Sequence, residues 1–165
     1  MEMARFDVLS GPEAEKELLT CCAVPKWARK VVSGRPYPDL GALLEAGSEA
    51  LAALSWDEVL AALSAHPRIG ERAAGASREA AWSRQEQSGA GDADDALREA
   101  LTAANLAYEE RFGHVFLICA TGLSGAEMLA AARARLEHGE EAERGVVRTE
   151  LGKIVEIRMR KLVES

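Results

Sequence analysis

The chain has 165 residues and a formal net charge of −7. That length predicts one domain, residues 1–165, with a hydrophobic core that needs neither disulfides nor a metal. The acidic balance speaks against a general nucleic-acid binder, which is usually basic, and gives no attraction to anionic lipid.

Glu2, Arg5 and Asp7 interrupt any early apolar run, so no secretory signal is expected. No stretch approaches the roughly 18 apolar residues of a membrane span. The last residues, Leu162 to Ser165, are not a peroxisomal address of the SKL type. Cys21, Cys22 and Cys119 are odd in number and contain no CxxC pair, which points to a reducing compartment, the cytoplasm, rather than a disulfide framework. Vicinal Cys21 and Cys22 read as small helix residues. Alanine and leucine abound while aromatics make up only 5%, a bias that favours helices.

The first helix signal is SGPEAEKELLTCCAV, with Ser10 and Glu13 in capping-box spacing, Pro12 in the first turn and Pro25 as the stop. WARKVVSG is a short helical turn closed by Gly34. RPYP must be extended, because each proline biases its predecessor away from helix. DLGALLEAGSEALAAL follows with Asp39 as cap. SWDEVLAALSAHP carries Ser55 and Glu58 in capping-box spacing and ends near Pro67 and Gly70, with Val59, Leu60 and Leu63 as its apolar stripe. GERAAGAS reads as a loop. SREAAWSRQEQSG is a short helix capped by Ser77 and closed by Gly89.

The Ala/Gly/Asp-rich stretch from Ser88 to Asp95 reads as a loop. A long helix runs from about Asp92 to Phe112 and stops at Gly113. HVFLICATG is apolar, short and strand-like, but one strand makes no sheet, so it reads as a buried extended connector. SGAEMLAAARARLEHG repeats the capping box with Ser124 and Glu127, and a last helix spans about Glu140 to Val163. The expected fold is all-α: a compact single-domain bundle of about eight helices with one extended apolar connector.

Three features resist a purely structural explanation. Pro67 forces the chain to turn directly after His66; the plain alternative is a histidine facing a helix C-terminal dipole. Ser83, Glu86 and Gln87 are spaced i, i+3, i+4 and share one polar helix face, which is either solvated or turned into a cleft. Arg158 falls inside the apolar stripe of Leu151, Ile154, Val155 and Leu162. Its guanidinium either snorkels to the surface, pairs with a carboxylate such as Glu86, or clamps an anionic substrate.

Standard catalytic patterns are missing: no GxGxxG, no P-loop, and no nucleophile elbow in GLSG. His66, His114 and His138 show no metal-ligand spacing, so neither a metal nor an organic cofactor is expected. His114 reads as packing or surface, and His138 as a helix-terminal residue.

Together these pieces resemble a known family, the decarboxylases of 2-oxo-4-hydroxy-4-carboxy-5-ureidoimidazoline (OHCU) in uric acid degradation. The resemblance covers nearly the whole chain: Trp27, RPY at Arg35–Tyr37, AHPRIG at Ala65–Gly70, SRQEQ at Ser83–Gln87, NLAYEERFGHVFLI at Asn105–Ile118 and the terminal EIRMRKLV. It implies a helical homodimer without cofactor that converts OHCU to (S)-allantoin in purine catabolism, with no nucleic-acid or membrane partner.

The resemblance gives the catalytic roles to His66, as proton donor, and Glu86, which holds or deprotonates the substrate hydroxyl. It gives substrate contacts to Pro67, to Ser83, Arg84, Gln85, Glu86 and Gln87, to Leu117, Ile118, Cys119 and Ala120 of the connector, largely through backbone groups, and to Arg158. These residue types suit a metal-free decarboxylation. Loss of CO2 leaves an electron pair that the ring C=N accepts, and the neighbouring carbon must then be protonated on one face. Two other readings compete: a related helical decarboxylase acting on another ureido- or carboxy-substituted ring, and a non-enzymatic helical adaptor. In the adaptor, His66, Glu86 and Arg158 would lie on separate faces.

Overall fold

A computed structural model of the chain describes residues 1–69, 77–91 and 94–164. Every regular element among them is a helix. In chain order these are α1 (Met3–Val8), α2 (Gly11–Leu19), α3 (Pro25–Ser33), α4 (Leu40–Ala52), α5 (Trp56–Leu63), α6 (Arg78–Glu86), α7 (Ser88–Gly91), α8 (Asp95–Phe112), α9 (Gly125–Arg135) and α10 (Glu140–Glu164). The chain divides into two compact units, Met1–Ala62 with Gly152–Ser165, and Leu63–Leu151.

Local chemistry sets most helix starts. Reciprocal capping boxes form between Ser10 and Glu13 and between Ser124 and Glu127. The same two bonds join Ser55 and Glu58 ahead of α5. Asp39, Ser77 and Asp94 each accept a backbone amide three residues on. Each such cap satisfies an N–H that the helix itself leaves unbonded. Gly113 ends α8 at φ 80°, a left-handed conformation that glycine adopts without a Cβ penalty.

Several boundaries differ from the pattern in the sequence. α2 ends at Leu19, and Pro25 opens α3 instead of closing α2, because its missing N–H and fixed φ suit a first helical turn. α1 is an additional helix with no side-chain cap, held by burial of Phe6 rather than by any local signal. α6 stops at Glu86 with Gln87 as its C-cap. Ser88–Gly91, expected in a loop, forms α7, while Asp92 and Ala93 lie outside the described residues. α8 begins at Asp95 behind the Asp94 cap, later than expected. The GERAAGAS loop lies almost wholly outside the described residues.

In the first unit the core gathers Phe6, Leu18, Trp27, Val31, Leu43 and Met159. Trp27 Nε1 donates to the Gly47 carbonyl at 2.9 Å. A Cβ on Gly47 would stand 2.7 Å from Met159 Sδ, so a side chain there would require the thioether to shift. Arg35, in the RPYP segment, donates from Nη1 to the carbonyls of Phe6 and Leu9, each at 2.8 Å, and so ties down the end of α1.

In the second unit Tyr108, Phe116, Ile118, Met128 and Leu129 form the centre of the core. Inside it lies an ionic cluster. Arg135 bonds Glu143 Oε2 from Nε at 2.9 Å and from Nη2 at 2.6 Å. Tyr108 donates its hydroxyl to the same carboxylate, and Arg135 Nη1 donates to the Leu117 carbonyl at 2.7 Å. The guanidinium also lies over the Phe116 ring, 4.6 Å from its centroid. At α7 the packing is close: a Cβ on Gly89 would collide with the Leu123 carbonyl oxygen.

Burial pushes the Glu143 carboxyl up, but the bonds from Arg135 and Tyr108 outweigh it and hold the group below the usual carboxylate range. Burial and the bond to Glu143 push the Tyr108 phenol well above its ordinary value. A depressed carboxyl contributes stability that is fully present above its unfolded pKa, about 4.3, and is lost as pH falls through the lower folded value. Wild-type melting temperature should therefore fall below about pH 4 more steeply than that of Glu143→Gln. Arg135→Met strands a buried carboxylate and should cost about 3–5 kcal/mol in urea unfolding at pH 7. A loss under about 1 kcal/mol would show that the pair is not effectively desolvated.

Candidate active site

α5 ends at Leu63, and the His66 amide donates back to the Leu63 carbonyl at 3.0 Å as the chain turns. Pro67 follows at once, so the helix cannot resume. His66 is left half-buried on the wall of an open pocket of about 530 Å³, with Pro67, Arg68, Glu109 and His114 among the lining residues.

The segment that carries His66 is held from two helices of the same unit. Asn105 of α8 is buried and donates from Nδ2 to the Ile69 carbonyl at 2.6 Å. One turn further along α8, Glu109 takes both Nε and Nη2 of Arg68, the latter at 2.9 Å. From the end of α6, Gln87 Nε2 reaches the Pro67 carbonyl at 3.5 Å. The structure thus brings together three of the expected site residues, His66, Pro67 and Gln87. Gly70 lies outside the described residues.

On α6, Ser83 and Glu86 are both buried, 5% and 8% exposed. The shared polar face is therefore not a solvated one. Arg84 and Gln87 are half-buried, and the Gln85 side chain is exposed. Trp82 lies half-buried beneath the Arg78 guanidinium, 5.2 Å from the ring centroid.

The expected connector holds its form: residues 115–120 have no helical or strand pairing. Leu117, Ile118 and Ala120 are buried and Cys119 is half-buried. Its backbone is gripped twice, at the Leu117 carbonyl by Arg135 and at the Cys119 amide by Glu150 Oε1, 3.2 Å away. Of the expected site residues, the pocket at His66 takes in His66 and Pro67.

Arg158 belongs to the first unit, where it is 5% exposed within its apolar stripe and does not snorkel. Burial pushes the nearby Cys22 thiol up to about 12, against the opposing effects of a Val24 backbone hydrogen bond and the Arg158 charge. Cys22 therefore stays a neutral thiol at physiological pH, and with Cys21 it serves the core. His138, read as a helix-terminal residue, places Nδ1 3.1 Å from Glu143 Oε1.

Asn105 and Glu109 fall within the NLAYEERFG motif but have no role assigned by it, and no sequence pattern singles out Arg135, Glu143 or Glu150. Arg135 could have been found by the logic that marked Arg158, since it lies seven after Met128 and three after Ala132 on a buried face of α9.

The family model for OHCU decarboxylase matches residues 7–160. The chain belongs to the OHCU decarboxylase family. Among curated relatives, it is 34% identical over 152 residues to the Arabidopsis thaliana uric acid degradation bifunctional protein TTL, a match covering 90% of this chain and 47% of the plant protein. The chain thus spans about half the length of that relative.

It is 31% identical over 144 residues to an Amia calva 2-oxo-4-hydroxy-4-carboxy-5-ureidoimidazoline decarboxylase, covering 85% of this chain and 81% of the other. Among solved structures, an OHCU decarboxylase crystallised in the presence of (S)-allantoin superposes with TM-score 0.78 at 26% identity, over 90% of this chain and 98% of that one. An (S)-allantoin synthase shares the fold, with TM-score 0.77 at 19% identity, over 100% of this chain and 55% of that one.

The grip on the His66 segment can be weighed. Asn105→Ala leaves the Ile69 carbonyl without its partner and should cost about 1–3 kcal/mol in urea unfolding. Arg68→Ala removes a half-exposed ion pair and should cost less than about 1 kcal/mol. Equal losses from the two substitutions would contradict this ordering.

Proposed function

We propose that this protein is a carboxy-lyase that converts OHCU to (S)-allantoin in urate breakdown, using no metal or organic cofactor. The observation that carries the reading is the family match across residues 7–160, with the family's histidine–proline pair set at a pocket and tied to Gln87. The relatives named for this activity and the structure crystallised with (S)-allantoin support it.

The chemistry needs a proton delivered to carbon and a group to hold the hydroxyl. As the C–CO2 bond breaks, its electron pair moves toward the ring C=N and gives an enol-like intermediate. The hydroxyl proton leaves as the carbonyl forms, and the adjacent carbon is protonated to create the stereocentre. His66 suits the donor role, because an imidazole titrates near neutral pH and general acid catalysis gains most there. Glu86, a buried carboxylate, suits the hydroxyl. Ser83, Arg84, Gln85, Gln87 and Pro67, with backbone groups of Leu117, Ile118, Cys119 and Ala120, are the substrate contacts that the family implies.

Arg158 matches the family's C-terminal arginine, and its charge suits a hold on the departing carboxylate or support of Glu86. We further place the protein in the cytoplasm as a homodimer, with no nucleic-acid or membrane partner; among the described residues no helix is long and apolar enough to cross a membrane. Sedimentation of the pure protein at a mass of one chain would refute the dimer.

The decisive experiment generates OHCU from urate in situ and follows the optical activity of the allantoin. Spontaneous decay gives racemate, and the enzyme should give one enantiomer. His66→Asn should fold like wild type and lose roughly 10²–10⁴ in rate; a wild-type rate would remove His66 from proton transfer.

Arg158→Met keeps an apolar stem of similar reach, and Arg158→Lys keeps charge without the planar fork. Both should melt close to wild type, with Met losing more activity than Lys. A large drop in melting temperature for Arg158→Met with full activity in the folded fraction would make Arg158 a structural residue only.

A further inference from the structure

The buried connector poses a hydrogen-bonding problem. A segment with no strand beside it must still place its amides and carbonyls. Three of these groups are taken within the second unit: the Leu117 carbonyl by Arg135 Nη1 at 2.7 Å, the Cys119 amide by Glu150 Oε1 at 3.2 Å, and the Ala120 carbonyl by the Leu123 amide at 3.0 Å. Ile118 stands between the first two and is 7% exposed. Its own amide and carbonyl have no hydrogen-bond partner among the described residues.

Peptide geometry connects these facts. The Leu117 carbonyl and the Ile118 amide belong to one rigid trans plane and point in opposite directions. The Ile118 carbonyl and the Cys119 amide belong to the next plane. Arg135 therefore fixes the direction of the Ile118 N–H, and Glu150 fixes that of the Ile118 carbonyl. Both anchors are buried, Arg135 at 5% and Glu150 at 9% exposed. Arg135 is itself locked by Glu143 and Tyr108, so the first plane is held with little freedom.

We propose that Arg135 and Glu150 are positioning residues that clamp the two peptide planes flanking Ile118. They thereby present its N–H and C=O as a preset donor–acceptor pair for the ureido group of the substrate. A ureido group offers an acceptor carbonyl and donor N–H groups side by side, which that pair complements. The inference rests on the function proposed above and extends it to two residues with no assigned part. Presetting both planes spares the ordering cost that a loose connector would incur on binding.

Glu150 gives the cleaner test. Glu150→Leu removes the acceptor for the Cys119 amide and should raise KM for OHCU about tenfold or more, with kcat changed less than about threefold. Glu150→Gln keeps an acceptor oxygen and should bring KM back most of the way. A merely structural role would lower the folded fraction without this split.

Amide hydrogen exchange of the wild type gives a second measurement, which holds even if Glu150→Leu does not fold. The Cys119 amide should exchange slowly in the free protein, and the Ile118 amide should slow markedly only when (S)-allantoin is added. An active wild type whose Ile118 exchange ignores saturating (S)-allantoin overturns the clamp alone, as does an unchanged KM in folded Glu150→Leu. A wild type that forms no (S)-allantoin from OHCU overturns the clamp and the proposed function together.

Discussion

The second unit is organised around one buried charge pair. Arg135 and Glu143 are 5% and 0% exposed, and two ions removed from water so completely demand near-complete hydrogen bonding in return. The structure supplies it with Tyr108 on the carboxylate and the Leu117 carbonyl on the guanidinium. The pair therefore joins α8, α9, α10 and the connector through one cluster of polar atoms. An apolar cluster of equal volume could pack as tightly, but it could not specify which carbonyl of an unpaired segment is held. The direction of a hydrogen bond does specify it.

The His66 segment is held by two side-chain amides and one ion pair. Successive residues after the α5 terminus are fixed at their backbone or charged tips: Pro67 by Gln87, Arg68 by Glu109 and Ile69 by Asn105. Proline enforces the turn, and the amide side chains of Gln87 and Asn105 hold the backbone on its far side. The His66 imidazole thus sits on a backbone whose path is set by contacts from α6 and α8. Such supporting contacts narrow the range of geometry open to the side chain they flank.

What the sequence disclosed divides by range. Capping boxes at Ser10 and Ser124 act across three residues, so their spacing alone identified them. The Ser83–Glu86 face was legible for the same reason, and the i, i+3 periodicity correctly put both on one side of α6. α1 leaves no local signal, because it has no side-chain cap and depends on the burial of Phe6. Pro25 opens α3 where its position also fits the end of α2, because proline marks a boundary without saying on which side.

The long-range pairings are not legible, even where the motifs contain one of the partners. Tyr108 and Glu143 lie 35 residues apart, and Asn105 and Ile69 lie 36 apart. Nothing in a local pattern names either partner. A charged residue inside an apolar stripe does announce that a partner is needed, as Arg135 and Arg158 both do, but not which one.

The notch at Gly47 has a chemical consequence for how the protein ages. Met159 is 1% exposed, and its sulfur fills space that even a methyl group on Gly47 would claim. While the fold is intact, peroxide has almost no route to that thioether. During a brief opening the sulfur can take up an oxygen, and the resulting sulfoxide is larger, polar and without a place in the notch. Such damage would act as a ratchet: each excursion that ends in oxidation removes a molecule from the refolding pool until a reductase repairs it.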